Sequence, residues 1–298
     1  MKRFFIIALS LGAAATINAQ QLQSSSFYDL QGVLHNPSTA GVYKNSMVGA
    51  SYRSQWSGIS GAPKTATVFG NFKLSEHQLG LGAYIYNDKT GPTSRTGAQF
   101  AFAKHIAVKN DAVFSLGIEA RVLQYSIDKA KLSNTLGNDP VLASSENSTK
   151  FDAGFGLSYT GKKLQLGASV AQLVQSKLNY YSGSQSPTEE GRLYRHYFFH
   201  GSYKWGTDET TTVTPNFLFI YLPNAPLEFQ GGVRVEHKET FFWGVGYRAH
   251  QSFMLSAGVH VNKKFTIGYG FDIYSTPIST YDAGSNGHEI LLRYDIIK

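Results

Sequence analysis

The chain contains no cysteine. That absence removes disulfide frameworks, thiolate chemistry, cysteine-held metals and a lipidated N-terminal cysteine. Beyond its first residues it also lacks any run near the ~20 apolar residues that a transmembrane helix needs. It has no phosphate-binding Gly-rich loop, so any energy for transport comes from elsewhere. It has no Gly-x-Ser-x-Gly elbow, which argues against a hydrolase of that type. The formal charge of +7 falls to +5 once Lys2 and Arg3 are removed. The basic residues are scattered or sit in turns, which is not the clustered pattern of a nucleic-acid binder.

What is present begins with Met1–Ala19. Lys2 and Arg3 precede a short apolar run from Phe4 to Ala15, and Ala19 supplies a small residue. This pattern predicts a secretory signal peptide cleaved before Gln20, and the run is too short to cross a bilayer. The protein is therefore expected to be exported. Any passage through a membrane must then use strands.

Strand signals dominate the remainder. In the C-terminal part, Phe265, Ile267, Tyr269, Phe271 and Ile273 alternate with Thr266, Gly268, Gly270 and Asp272. The same split recurs around Val259 against His260 and around Trp243 against Gly244 and Arg248. Period-2 alternation between an aromatic-rich face and a Gly-rich polar face fits a barrel with lipid outside and a polar lumen. Fourteen strands are expected near 45–54, 65–74, 78–87, 95–105, 113–127, 150–160, 164–173, 194–206, 210–221, 227–237, 240–249, 252–262, 264–274 and 286–297. Connections after even-numbered strands are short and charged. Those after odd-numbered strands are mostly long: 55–64, 88–94, 128–149, 174–193 and 275–285. Short turns on one rim and long loops on the other is the rule for outer-membrane barrels. The expected organisation is a signal peptide over 1–19, a plug-like segment over 20–44 and an all-β transmembrane outer-membrane barrel of about fourteen antiparallel strands over 45–298, with both ends on the periplasmic side.

Two loops carry unusual sequence. Tyr52-Arg53-Ser54-Gln55-Trp56-Ser57-Gly58-Ile59-Ser60-Gly61-Ala62-Pro63 puts Arg, Gln and Trp at a strand end before a Gly/Pro turn. Asn87-Asp88-Lys89-Thr90-Gly91-Pro92 closes the next hairpin. Turn chemistry accounts for the Gly and Pro residues, and an interfacial anchor accounts for Trp56. The ordered set also resembles a family. Asn36-Pro37 with Gly41, then Tyr52-Arg53-x-Gln55-Trp56-x-Gly58-x-x-Gly61-Ala62-Pro63, is similar to the PorP/SprF family of Bacteroidetes outer-membrane proteins. Further matches are Asp88-x-x-Gly91-Pro92, Tyr125-Ser126-Ile127-Asp128 and Gly287-His288-Glu289-Ile290. The chain departs from the family at Gln172-Leu173, where His-Leu is common, and in ending on Lys298 rather than an aromatic residue.

The resemblance implies an outer-membrane component of the type IX secretion system. It implies a part in secretion or surface attachment of cargo such as gliding-type adhesins, with other secretion components, cargo proteins and outer-membrane lipid as partners. The protein is expected to be a single barrel within a larger complex, without cofactor, metal, catalytic centre or nucleic-acid partner. The rival is a transporter or channel for small hydrophobic solutes of the fatty-acid-transporter type. Such barrels also have fourteen strands and an N-terminal Asn-Pro segment. The plug and loop residues singled out are Asn36, Pro37, Gly41, Arg53, Gln55, Trp56, Gly58, Gly61, Pro63, Asp88, Gly91, Pro92, Asp128, His288 and Glu289. Parity on the strand predicts Arg53 and Gln55 pointing inward to hold residues 24–44 in or under the lumen, with Trp56 anchoring the rim.

Overall fold

The computed structural model describes residues 23–129, 131, 146–178, 191–223, 225–275 and 286–297. The expected signal peptide and the central parts of three long loops lie outside these residues. Fourteen strands form the wall: β1 Ser46–Ser54, β2 Lys64–Leu74, β3 Leu79–Thr90, β4 Thr93–Ala107, β5 Val113–Ile127, β6 Glu146–Thr160 and β7 Leu164–Ala171. The circuit continues with β8 His196–Tyr203, β9 Thr211–Tyr221, β10 Glu228–His237, β11 Phe241–Arg248, β12 Ser252–Val261, β13 Phe265–Tyr274 and β14 Gly287–Ile296. Each strand pairs antiparallel with the next. β14 returns to β1 from Ser46↔Ile296 to Ser54↔His288, so the sheet has no free edge. Closure matters because hydrocarbon offers no partner for an unpaired backbone group.

Alternation sorts the side chains as expected. Ile118 is 59% exposed while its neighbour Glu119 is 5% exposed. Val68, Phe100 and Phe151 face outward beside the buried Thr67, Gln99 and Asp152. At the C-terminal end Ile267 and Trp243 face outward, and Asp272 and Arg248 are buried inside.

The short turns are built from local hydrogen bonds and left-handed backbone. Lys238 and Glu239 both have positive φ (54° and 49°), as do Asn262 and Lys263 (53° and 58°), which suits a two-residue hairpin. Asp208 accepts from the Thr210 hydroxyl (2.8 Å) and from the Thr210 and Thr211 amides (2.7 Å each). These bonds, those of Thr210 foremost, hold its carboxyl below the usual carboxylate range.

The 88–94 connection is not a long loop. β3 and β4 run on to Thr90 and Thr93, and only Gly91-Pro92 joins them. Asn87, Asp88 and Lys89 pair with Thr96, Arg95 and Ser94, so this polar stretch is hairpin rather than loop. β6 likewise begins at Glu146, earlier than the apolar pattern indicates, because a hairpin can keep pairing after its side chains turn polar on both faces.

Residues 23–44 form no strand. Three short 3-10 turns, Tyr28–Leu30, Gly32–Leu34 and Pro37–Thr39, carry the chain through the lumen. Phe27, Asn36, Ser38, Thr39 and Ala40 are fully buried there. The described chain starts at the long-loop mouth, where Gln55 Nε2 donates to Ser24 Oγ (3.1 Å). It ends at the short-turn mouth, where the Gly41 amide donates to Asn71 Oδ1 (2.5 Å) just before β1. The segment thus begins at the mouth opposite to the one expected from the strand count.

Candidate functional site

The lumen is filled by residues 23–44, and the wall holds them at three levels. Near the long-loop mouth, Arg53 of β1, Asp272 of β13, Glu289 of β14 and Arg248 of β11 converge, all at most 2% exposed. Arg53 donates to both carboxylates: to Asp272 in a short contact and to Glu289 at 3.1 Å. It also reaches Ser26 Oγ (2.7 Å) and Tyr274 Oη (3.0 Å). Arg248 donates to Asp272 (3.2 Å) and to the Ser25 carbonyl (3.3 Å). Glu289 accepts from Ser25 Oγ (2.6 Å) and from the Ser26 amide (2.7 Å). Two guanidinium and two carboxylate groups therefore balance in a site closed to water, and Ser25 and Ser26 of the segment share the remaining contacts with wall residues such as Tyr274 and Gln230. Burial of ionised groups is tolerable only under such pairing.

Midway, Arg234 grips Asp29 through two parallel bonds of 2.6 Å each, with its guanidinium 4.8 Å from the Phe242 ring centre. Tyr28 Oη donates to Asn216 in a short contact. On the opposite wall, Gln99 Nε2 donates to the Val33 carbonyl (2.8 Å) and to Glu119, which pairs with Arg121 (2.6 Å).

Towards the short-turn mouth, Asn36 does two jobs. Its Oδ1 accepts from the Ser38 amide (3.0 Å) and caps the turn that Pro37 begins. Its Nδ2 donates to Leu157 O (3.1 Å), while His200 Nε2 lies 3.0 Å away as an acceptor. Ser38 Oγ meets Ser158 Oγ at 2.9 Å. Gly41, at φ 69°, sits where a Cβ would strike Gly80 Cα.

Wall glycines explain how the backbone comes so close. A Cβ at Gly80 would overlap the Ala40 carbonyl, one at Gly117 the Ser38 amide, and one at Gly156 the Asn36 side chain. The polar, Gly-rich inner face is therefore shaped to a polypeptide rather than to open water. Ser25, Ser26 and Asp29 carry no sequence signal of their own, and only the luminal glycines could have pointed to this packing.

The remaining singled-out residues sit on the long-loop rim or outside. Pro63 O accepts from the Gln55 amide (2.9 Å), and Gly61 O accepts from the Gly91 amide (2.8 Å), so loop 55–63 rests on the β3–β4 tip. Gly58 is exposed at the crest of that loop. Asp88 joins β2 to the tip by accepting from Thr65 Oγ1 (2.8 Å) and Arg95 (2.9 Å). Pro92 O accepts from the Asp128 amide (2.8 Å), and Asp128 pairs with Lys131 (3.5 Å). Trp56 departs from the expected rim anchor. β1 ends at Ser54, and positive φ at Trp56 (48°) turns its ring inward, edge-on to Tyr274 at 5.9 Å. His288 lies on the outer face, 2.6 Å from Tyr269 Oη, while its neighbour Glu289 is luminal. His196 and His200, both luminal, serve separate contacts to Gln172 and Asn36.

A closed fourteen-strand wall with a lipid-facing apolar belt defines an outer-membrane β-barrel protein, here one whose lumen its own chain occupies. The family described as type IX secretion system membrane protein PorP/SprF matches residues 16–294, and the chain belongs to it. Among solved structures, the barrel is similar to the Ralstonia pickettii toluene transporter TbuX (10% identity, TM-score 0.53, covering 89% of this chain and 93% of that one). It is also similar to the CymD monoaromatic hydrocarbon channel (11%, 0.51, 89% and 91%) and to a Pseudomonas aeruginosa FadL homologue (10%, 0.50, 87% and 92%). At such identities the likeness is one of fold. No curated protein sequence matches the chain. Family and fold place the protein in the outer membrane as a barrel component of type IX secretion.

Proposed function

We propose that this barrel assists secretion or surface attachment of type IX cargo, such as gliding-type adhesins, as a docking and anchoring part whose lumen is not the export route. The observation that carries this reading is the filled lumen. An exported chain needs a continuous aqueous path, and opening one here means breaking the Arg53–Asp272–Glu289–Arg248 cluster and the Asp29–Arg234 pair. Such buried ionic bonds are costly to leave half-made. The short-turn mouth faces the periplasm and the long loops face outward, as in other barrels of this kind. Loop 55–63, propped on the β3–β4 tip, then offers a shaped outer surface for other secretion components or cargo. The barrel acts as a single copy within the larger assembly and does no covalent chemistry.

The test is to place charge on that loop without touching its supports. Gly58→Arg with Ser60→Arg should leave the barrel inserted at wild-type yield while cargo display at the cell surface falls. Normal display in the inserted variant would refute the docking role. The likeness to barrels described as a toluene transporter and a monoaromatic hydrocarbon channel favours a second reading, uptake of small hydrophobic solutes. Toluene or fatty-acid uptake into proteoliposomes above the empty-vesicle rate would favour it.

A further inference from the structure

The lumen segment and the closing seam of the barrel share their bonds. Arg53 and Glu289 are direct register partners across the β1–β14 seam, the pairing that turns an open sheet into a barrel. The same two side chains hold Ser25 and Ser26: Glu289 accepts from the Ser25 hydroxyl and the Ser26 amide, and Arg53 donates to the Ser26 hydroxyl oxygen. Asp272 on β13 receives the Ser26 hydroxyl (2.8 Å) and both guanidinium groups. Closing the seam without the segment would leave Glu289 without two of its donors, the Ser25 hydroxyl and the Ser26 amide.

Geometry adds a second constraint. The segment enters at the mouth opposite to the start of β1, so late insertion would require its leading end to thread the whole lumen. Backbone meets backbone on the β3–β6 side, where Pro37, Ser38 and Ala40 lie on the wall at Gly117 and Gly80. On the far side the fit is looser. The nearest atoms to a Cβ at Gly232 or Gly244 belong to the wall itself, and Ser256 borders a cavity there.

We infer that the barrel closes around residues 23–44, which act as an internal template, rather than closing first and receiving them as a plug. Segment docking and seam closure are then one cooperative event. Closure makes the inner wall continuous, and the segment is what the wall's small residues are fitted to.

The test uses the full chain, refolded from urea into lipid vesicles. Closure is read as the fast-migrating band of an unheated gel. Docking is read in timed aliquots pulsed with excess diamide as oxidant and then acid-quenched, by the disulfide formed by Ser38→Cys with Ser158→Cys, whose hydroxyls now lie 2.9 Å apart in a chain free of native cysteine. That disulfide should form no later than the band appears. Gly117→Val, which sets a methyl-bearing carbon into the Ser38 backbone, should abolish the fast band. Ser256→Val on the loose side should keep it, which controls for a bulkier wall. A disulfide that lags behind the fast band would overturn the inference. So would a Gly117→Val barrel that closes at wild-type yield, whether its segment is docked or protease-sensitive.

Discussion

Removing one member of the charge cluster should cost far more than removing a matched pair. Arg53→Met keeps most of the side-chain volume but strips Asp272 and Glu289 of a shared guanidinium, leaving Asp272 to Arg248 alone and Glu289 with no paired cation. All four groups are at most 2% exposed, so water does not repair the loss in place. Removing one partner of a buried ion pair costs about 3–5 kcal/mol. Glu289→Gln is nearly isosteric but leaves an unbalanced positive charge and turns an amide donor towards either the Ser25 hydroxyl or the Ser26 amide. A loss of about 2–4 kcal/mol is expected from the charge and the misdirected hydrogen bond together. In the double variant Arg248 and Asp272 remain as a balanced pair at 3.2 Å, and the total loss should fall short of the sum by at least about 2 kcal/mol. Equilibrium urea unfolding in lipid vesicles, followed by the heat-shifted gel band, measures all three. Additive losses within about 0.5 kcal/mol would refute the coupling. Single variants indistinguishable from wild type would refute the claim that the cluster is dry.

Three further outcomes follow from register, sidedness and backbone. Leu255→Arg on the lipid face should reduce folding yield more than Ser256→Arg beside the inner cavity, with a difference of about 2–4 kcal/mol near the midplane; equal yields would reverse the assigned faces. A cysteine at the exposed Ser60 should react with an impermeant maleimide in intact cells, and one at Lys163 should not; the opposite pattern would invert the barrel. Gly41→Ala should destabilise the barrel by more than about 1 kcal/mol, because it adds the left-handed penalty to a clash with Gly80; thermal shift of the gel band measures it.

The wall was legible in the sequence and its contents were not, for one physical reason. A lipid-facing strand alternates between two environments, and that alternation writes itself as period 2 through most of the wall. Where one environment ends, legibility ends too. Beyond the membrane, Asn87-Asp88-Lys89 reads as loop although it is paired strand. At Trp56, parity stops with the last ladder pair at Ser54, and a single positive φ redirects the ring inward. Residues 23–44 show no period because they take many of their hydrogen bonds from the wall. Asn36-Pro37 announces its turn, but its second partner, Leu157, is 121 positions away.

The glycines show how one observation supports two accounts until packing is seen. On the inner face of a wet barrel, Gly gives width and flexibility, and Gly80, Gly117 and Gly156 fit that account from sequence alone. In the structure the space beside them holds the backbone of Ala40, Ser38 and Pro37 and the side chain of Asn36. A small residue facing water tolerates a larger one, whereas a small residue facing a fixed backbone does not. The difference is one of cost, and it gives the inner face a specificity that hydropathy does not record. The same argument bears on transport. A lumen lined by glycine for width would admit solute, but this one is lined by glycine for contact. Passage of a polypeptide through it then requires the chain's own residues 23–44 to leave a wall whose charges and small residues they complete.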